Sequence, residues 1–316
     1  MFIEKLIDKV QVTKNPSAVG LDPKIEYVPT AIIEKHKKLN GNNLTSIANA
    51  ILEYNKIIID AIYDIVPIVK PQSAYYEALG IEGIRILIET IDYARSKDML
   101  IILDAKRNDI DSTAKMYSSA YLGRLDVSGE KISIYDVDAL TVNAYLGKDG
   151  IIPFLEDCDE YHKGLFMLVK TSNLSSSQFQ DLEVGDQKVY MKIAEYLNSV
   201  SQTRISKKYP YSSVGAVVGG TYPADAKILR QLMPNSYFLV PGYGYQGGNA
   251  KDLESMFNKD GLGAIISSSR KILLAYKTKR MVERFGNENV YESTRLAALE
   301  MKEELQSVIS SVCGGN

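Results

Sequence analysis

The sequence is poor in the residues that most metal, redox and nucleophilic chemistries require. It has two cysteines, Cys158 and Cys313, and two histidines, His36 and His162, in 316 residues. The cysteines lie far apart and in no Cys-x-x-Cys pattern, which fits free thiols in a reducing compartment rather than a disulfide framework. The histidines fall in polar stretches and are expected at the surface. No His/Cys/carboxylate cluster has metal-ligand spacing and no G-x-S-x-G elbow is present, so neither a metal centre nor a serine hydrolase is expected. An excess of one charge is also lacking: 37 Lys and Arg against 39 Asp and Glu leave a net charge of -2. That balance offers nothing to nucleic acid or to an anionic membrane surface. No stretch approaches the roughly 18 apolar residues of a membrane span, and the amino-terminal ten residues form a charged amphipathic helix without an apolar h-region. No Pro- or Gly-rich linker divides the chain. The expectation is a soluble, cytoplasmic protein with a single domain over residues 1–316, its 45% hydrophobic content enough for a large core.

What the chain has is alternation. Apolar runs at 17–21, 66–69, 99–103, 139–142, 165–169, 214–218, 237–240 and 262–266 read as short strands buried on both faces. Helical spacing follows them at 44–65, 80–96, 112–122 (with Asp111 or Ser112 as cap), 150–156, 187–200, 223–233, 271–284 and 288–311. Residues 173–186 read as a polar, Ser- and Gln-rich loop. Eight such units predict an α/β fold, a single (β/α)8 TIM barrel with an extra N-terminal helix. A doubly wound open sheet would need fewer strands or a second domain.

In such a barrel the active site lies at the carboxyl ends of the strands. Those ends carry Asp22, Lys70, Asp104, Lys106, Asn143, Thr171 or Ser172, and Arg270. Asp104 and Lys106 are two residues apart and so share a face of the third strand, and Asp109 follows three residues on. A lysine between two carboxylates is held in place and kept protonated. Singly these residues have bland readings, with Asp22 before Pro23 as a turn residue and Asn143 as a cap. Together they are hard to explain without a site. Gly242-Tyr-Gly244-Tyr-Gln-Gly247 matches G-x-G-x-x-G but follows the seventh strand rather than the first, so a dinucleotide fingerprint is a weak reading. Its place beside Arg270 suits a phosphate clamp and a closing lid. Lys70 as a Schiff-base lysine of a class I aldolase is disfavoured, because the neighbouring carboxylates keep amines charged.

The run Leu103-Asp-Ala-Lys-Arg-Asn-Asp-Ile110 resembles the signature of the orotidine 5'-monophosphate decarboxylase family. The resemblance extends through Gly20-Leu-Asp22-Pro, Val69-Lys70-Pro-Gln, Thr141-Val-Asn143-Ala-Tyr-Leu-Gly147, Val169-Lys-Thr-Ser-Asn173, Val217-Val-Gly-Gly220 and Pro241-Gly-Tyr-Gly-Tyr-Gln246, in family order. Spacing and length look most like the longer branch found in many bacteria and in malaria parasites. The resemblance implies cofactor-free and metal-free decarboxylation of orotidine 5'-monophosphate to UMP. Lys70, Asp104, Lys106 and Asp109 would form a charged tetrad, with Lys106 protonating C6. Asp22 and Lys70 would hold the ribose hydroxyls; Ser172, with Thr171, would bond the pyrimidine amide edge; Gln246 and Arg270 would grip the 5'-phosphate; Asn143 and Pro241 would complete the substrate site. Asp109, Ile110 and Thr113 would reach the neighbouring subunit's site, making the active unit a homodimer. The sequence departs from some members at Gln72 (asparagine there) and Ser269 (glycine there). The competing expectations are a Mg2+-dependent sugar-phosphate decarboxylase sharing the Asp-x-Lys-x-x-Asp strand and a noncatalytic nucleotide-binding barrel.

Overall fold

A strand covered on both faces must be apolar along its whole length, and the eight runs that are so close a parallel barrel. The computed structural model describes residues 1–243 and 250–314. The strands are β1 (Ser17–Leu21), β2 (Ile68–Pro71), β3 (Leu100–Arg107), β4 (Ala139–Val142), β5 (Gly164–Lys170), β6 (Ser212–Val218), β7 (Ser236–Val240) and β8 (Ala264–Ser268). Each pairs with its neighbours in sequence, and β1 also pairs with β8 through Ser17 and Ile266, which closes the ring. The register runs Ala18 to Ile68, Ile68 to Leu100, Ile102 to Ala139 and Ala139 to Gly164 across the first five strands. The (β/α)8 expectation and the extra N-terminal helix are both observed.

The connecting helices are α1 (Phe2–Thr13), α2 (Thr30–Asn40), α3 (Leu44–Ile62), α4 (Ser73–Glu77), α5 (Gly80–Ser96), α6 (Asp111–Tyr121), α7 (Ile152–Tyr161), α8 (Val189–Gln202), α9 (Pro223–Leu232), α10 (Arg270–Leu273), α11 (Lys279–Phe285) and α12 (Val290–Gly314). Helix α3 starts where its cap says it should, with the Asn43 side chain accepting from the Ser46 amide at 2.9 Å. Neither Asp111 nor Ser112 caps α6. Ile110 takes the cap position without a side-chain bond, and Asp111 has φ +47°. The stretch expected as one helix over 271–284 is divided into α10, a 3-10 turn at Ala275–Lys277 and α11, because Thr278 adopts extended backbone (φ −74°, ψ 141°). Helix α2 was not expected: it buries none of its residues fully and so carries little apolar periodicity. His162 is exposed as expected, whereas His36 is partly buried and bonds Glu53 at 2.7 Å. Among the described residues no helix is long and apolar enough to cross a membrane.

Two apolar layers set the site's position. The outer one packs helices α3 to α12 against the barrel wall. The inner one fills the barrel's lower half with Ala18, Ile68, Leu100, Ile102, Phe166 and Leu239, and α1 caps it from below with Phe2, Ile3, Leu6, Ile7 and Val10. Phe2 is 2% exposed and meets Phe166 edge-on, ring centroids 6.1 Å apart. With the amino-terminal end plugged, the carboxyl ends of the strands are left as the open mouth. Phe2→Ala is expected to lower unfolding free energy by about 3 kcal/mol, seen as a shifted urea midpoint, with turnover below the transition unchanged. A loss of turnover in the folded variant would contradict the separation of plug from site.

Candidate active site

The open end of the barrel encloses a cavity of about 450 Å³. Its floor is apolar, with Leu168, Val217 and Leu239, and its walls are polar. The structure brings Asp22, Lys70, Asp104, Lys106, Thr171, Ser172, Pro241 and Arg270 together around it.

At its centre stands Asp104, 8% exposed. Its Oδ2 accepts from Lys70 Nζ at 2.8 Å and from Gln72 Nε2 at 3.1 Å. Its Oδ1 accepts from Lys106 Nζ at 2.5 Å and from Thr141 Oγ1 at 2.9 Å. Burial alone would push the carboxyl up, but the two ammonium groups outweigh it and hold Asp104 well below the usual carboxylate range. Burial would likewise lower Lys70, which is 5% exposed, yet Asp104 and Asp22 outweigh it and keep its ammonium above the ordinary lysine range. The local arrangement is thus a carboxylate between two lysines rather than a lysine between two carboxylates. A charged Lys70 is a poor nucleophile, which weighs against Schiff-base chemistry.

The backbone is shaped to make this possible. Strand β3 runs on through Arg107 instead of ending at Leu103, and its register against β4 slips between Leu103 and Arg107. Inside that bulge Lys106 has φ +48°, a conformation that costs a non-glycine residue about 1–3 kcal/mol. It is held there by the Lys106 amide donating to Thr141 Oγ1 at 3.0 Å. The bulge turns the half-exposed Lys106 ammonium into the cavity while Asp104 anchors it. Gly20 fits the same crowding: a Cβ there would lie 1.9 Å from Ser269 Oγ. Asp22 Oδ1 is buried and accepts no hydrogen bond among the described residues, so it is poised to accept one from a ligand.

Asp109, Ile110, Thr113 and Asn143 lie outside the cavity. Asp109 Oδ1 accepts from the Ile110 amide at 2.9 Å, and Ile110 and Thr113 are exposed. The Asn143 carboxamide caps its own turn, accepting from the Tyr145 amide at 3.0 Å. Gln246 and the rest of the expected lid, Gly244 to Gly247, fall outside the described residues. Sequence reasoning passed over Thr141, which serves both Asp104 and Lys106; its one signal was a hydroxyl inside the otherwise apolar run 139–142. Tyr243 and Lys271, also lining the cavity, were not expected. Among the described residues no three metal-ligating side chains gather.

A family model described as orotidine 5'-phosphate decarboxylase / HUMPS family matches residues 33–285. The chain is 40% identical over 309 residues to the orotidine 5'-phosphate decarboxylase of Caldicellulosiruptor saccharolyticus, covering 98% of this chain and 99% of that one. It is 39% identical to the enzyme of the same name from Rhodopirellula baltica, covering 96% and 99%. Among solved structures it is similar to Leishmania donovani OMP decarboxylase, with a TM-score of 0.71 and 28% identity over 98% of both chains.

Asp104→Asn removes the counter-charge from a buried ammonium and is expected to cost about 3 kcal/mol of stability. In the parent protein the lowered Asp104 contributes stability above the unfolded carboxylate pKa and loses it as pH falls through its folded value. The raised Lys70 contributes below its unfolded pKa and loses it as pH rises. The stability gap between parent and variant should therefore be widest near about pH 5 to 6. It should narrow below about pH 4, where Asp104 loses its contribution, and narrow again as pH rises through the lowered pKa of a buried Lys70 left without Asp104, read by urea titration. A gap that stayed level below about pH 4 would contradict the paired assignment.

Proposed function

The chain belongs to the orotidine 5'-phosphate decarboxylase / HUMPS family, and on that premise we infer how it converts orotidine 5'-monophosphate to UMP and CO2, the last step of UMP synthesis. The observation that carries the reading is Asp104 held between Lys70 and Lys106 in the mouth of the barrel. Breaking the bond from C6 to the carboxylate leaves its electron pair on C6, where the ring cannot easily delocalise it. A cation fixed beside C6 before the bond breaks is then the chief means of lowering the barrier. Lys106 is that cation. Its Nζ gives a proton to C6 as CO2 departs, and solvent returns the proton to the amine. Asp104 holds Lys106 in place beside the departing carboxylate.

The remaining walls fit the ends of the nucleotide. Asp22, with its unpartnered buried oxygen, and Lys70 take the ribose hydroxyls. Ser172, aided by Thr171, takes the amide edge of the pyrimidine, and Pro241 flanks it. Arg270 takes the 5'-phosphate, and the sequence resemblance gives it Gln246 as companion. Binding at that remote end spends its energy on holding the ring against Lys106. The reaction is read as needing neither cofactor nor metal, and the enzyme as cytoplasmic.

The active unit is read as a homodimer. Asp109, Ile110 and Thr113 lie outside their own cavity on the rim that begins α6, and Ile110 and Met116 expose apolar surface there. Asp109 would complete the tetrad of the partner's site, with Asn143 on the same rim.

The test is ultraviolet absorbance of orotidine 5'-monophosphate with EDTA-treated protein. Conversion to UMP should proceed at full rate, and Lys106→Ala should slow it at least about 10,000-fold, the joint loss of a fixed cation and a general acid, with UMP affinity nearly unchanged. Activity seen only after Mg2+ is restored, and on a sugar phosphate, would move the chain to the family's other branch. Mixing Asp109→Ala with Lys106→Ala and allowing subunits to exchange should restore about a quarter of parental activity, one intact site in each mixed dimer. No recovery would place Asp109 in its own subunit's site, and full activity of Asp109→Ala alone would place it in none.

A further inference from the structure

The loop after β5 is more structured than a connection needs. It carries a 3-10 turn at Leu174–Gln178 and then a two-residue hairpin in which Glu183 pairs with Lys188 and Val184 with Gln187. This fold returns Gln180 and Asp181 to the end of β5, beside the residues assigned to the base. Gln180 Oε1 accepts from the Thr171 amide at 2.9 Å, and Gln180 Nε2 donates to Thr171 Oγ1 at 2.7 Å. One residue earlier Lys170 is fully buried, and its Nζ donates to Asp181 Oδ1 at 2.6 Å. The same ammonium lies 4.8 Å from the Tyr222 ring centre and 5.1 Å from that of Tyr190, with Asp225 Oδ2 at 4.0 Å. A lysine is almost never buried so fully without partners, and here a carboxylate and two aromatic faces offset its desolvation.

Lys170 does not face the cavity, whereas Thr171, Ser172 and Asn173 do. The reason is a slip in register: β6 advances one residue, Val217 to Val218, while β5 advances from Leu168 to Lys170. From the other side the Gly219 amide donates to the Lys170 carbonyl at 2.7 Å, and a Cβ on Gly219 would sit 2.7 Å from the Ser172 Cα. Only glycine allows β6 to rest directly on that backbone. The segment Lys170 to Ser172 is gripped from the loop on one side and from β6 on the other.

We propose that Gln180 and Asp181 are positioning residues for base recognition, fixing the end of β5 so that Ser172 and Thr171 meet the amide edge of the pyrimidine. The proposal rests on the assignment of Ser172 to that edge. Gln180 and Asp181 touch no substrate; they act through Thr171 and Lys170. The loop thereby controls how strongly the site distinguishes a uracil nucleotide from a base-free sugar phosphate.

The experiment compares inhibition of turnover by UMP and by ribose 5-phosphate in the parent and in Gln180→Ala, Asp181→Asn, Asp181→Glu and Ser172→Ala, with the melting temperature of each. Gln180→Ala and Asp181→Asn should weaken UMP and raise KM about tenfold, the effect of one misplaced hydrogen bond, with kcat little changed and ribose 5-phosphate inhibition unaltered. Asp181→Glu, which keeps the carboxylate for Lys170, should recover most of the UMP affinity. Unchanged UMP inhibition in both Gln180→Ala and Asp181→Asn overturns the proposal. So does equal weakening of both inhibitors with a lowered melting temperature, the result of general loosening. Ser172→Ala reports separately: parental UMP affinity in that variant overturns the assignment of Ser172 itself, whatever the loop variants do.

Discussion

Asp104 is the group on which the rest of the cavity depends. A carboxylate that is 8% exposed would be expensive to keep ionised alone; two lysines, a glutamine and a threonine hydroxyl make it affordable. The dependence is mutual. Lys70, 5% exposed, is buried more deeply still, and Asp104 and Asp22 facing it keep it charged. Lys106 is half exposed, and without the 2.5 Å contact to Asp104 its four-carbon stem would sample many rotamers. The network thus converts a mobile surface amine into a fixed cation. Fixing is what this chemistry asks for, because a charge that must reorganise during bond breaking gives back much of what it contributes.

The barrel supports that network by being closed at one end and irregular at the other. Phe2 and its neighbours on α1 seal the amino-terminal mouth with apolar side chains, so water and ligand enter only where the polar residues are. At the open end two of the strands that line the cavity, β3 and β5, break register. In β3 the slip between Leu103 and Arg107 bends Lys106 into the left-handed region. In β5 the slip between Leu168 and Lys170 turns Lys170 away and presents Ser172. Strain and bulges at the open end serve to aim side chains, although β6 also slips against β7 lower down, between Ser212 and Ala216.

These irregularities also mark where the amino-acid sequence stops being readable. Strands buried on both faces announce themselves as apolar runs, and all eight were located to within a few residues; the charged ends of β2 and β3 followed from them. Alternation then predicts that residues two apart share a face. It works for Asp104 and Lys106, which do meet, and for Lys70, which follows the inward-facing Ile68, and it fails for Lys170. Both lysines end a strand, both are buried, and one faces the cavity while the other lies behind the wall. A bulge costs one residue of register and leaves no compositional trace. Helix α2 escaped for the opposite reason, burying too little to show a period. Thr141 escaped because a threonine in a strand is ordinary until its partners are known.

The same logic explains why three of the expected site residues lie outside the cavity. Asp109, Ile110 and Thr113 follow the β3 bulge, and the chain leaves the barrel axis before it reaches them. The Asp109 carboxylate turns to the Ile110 amide, a weak use for a charge that stands three residues from Lys106, the residue proposed as proton donor. A second chain docking on this rim would desolvate Ile110 and Met116 and could draw that carboxylate toward a neighbouring Lys106. Among the described residues Lys106 has one carboxylate beside it, Asp104, and shares it with Lys70, whereas Lys70 also faces Asp22. A second carboxylate delivered across an interface would give Lys106 a partner that it does not share. Assembly and the completion of the charge network would then be one event, with the lysine fully constrained only in the assembled protein.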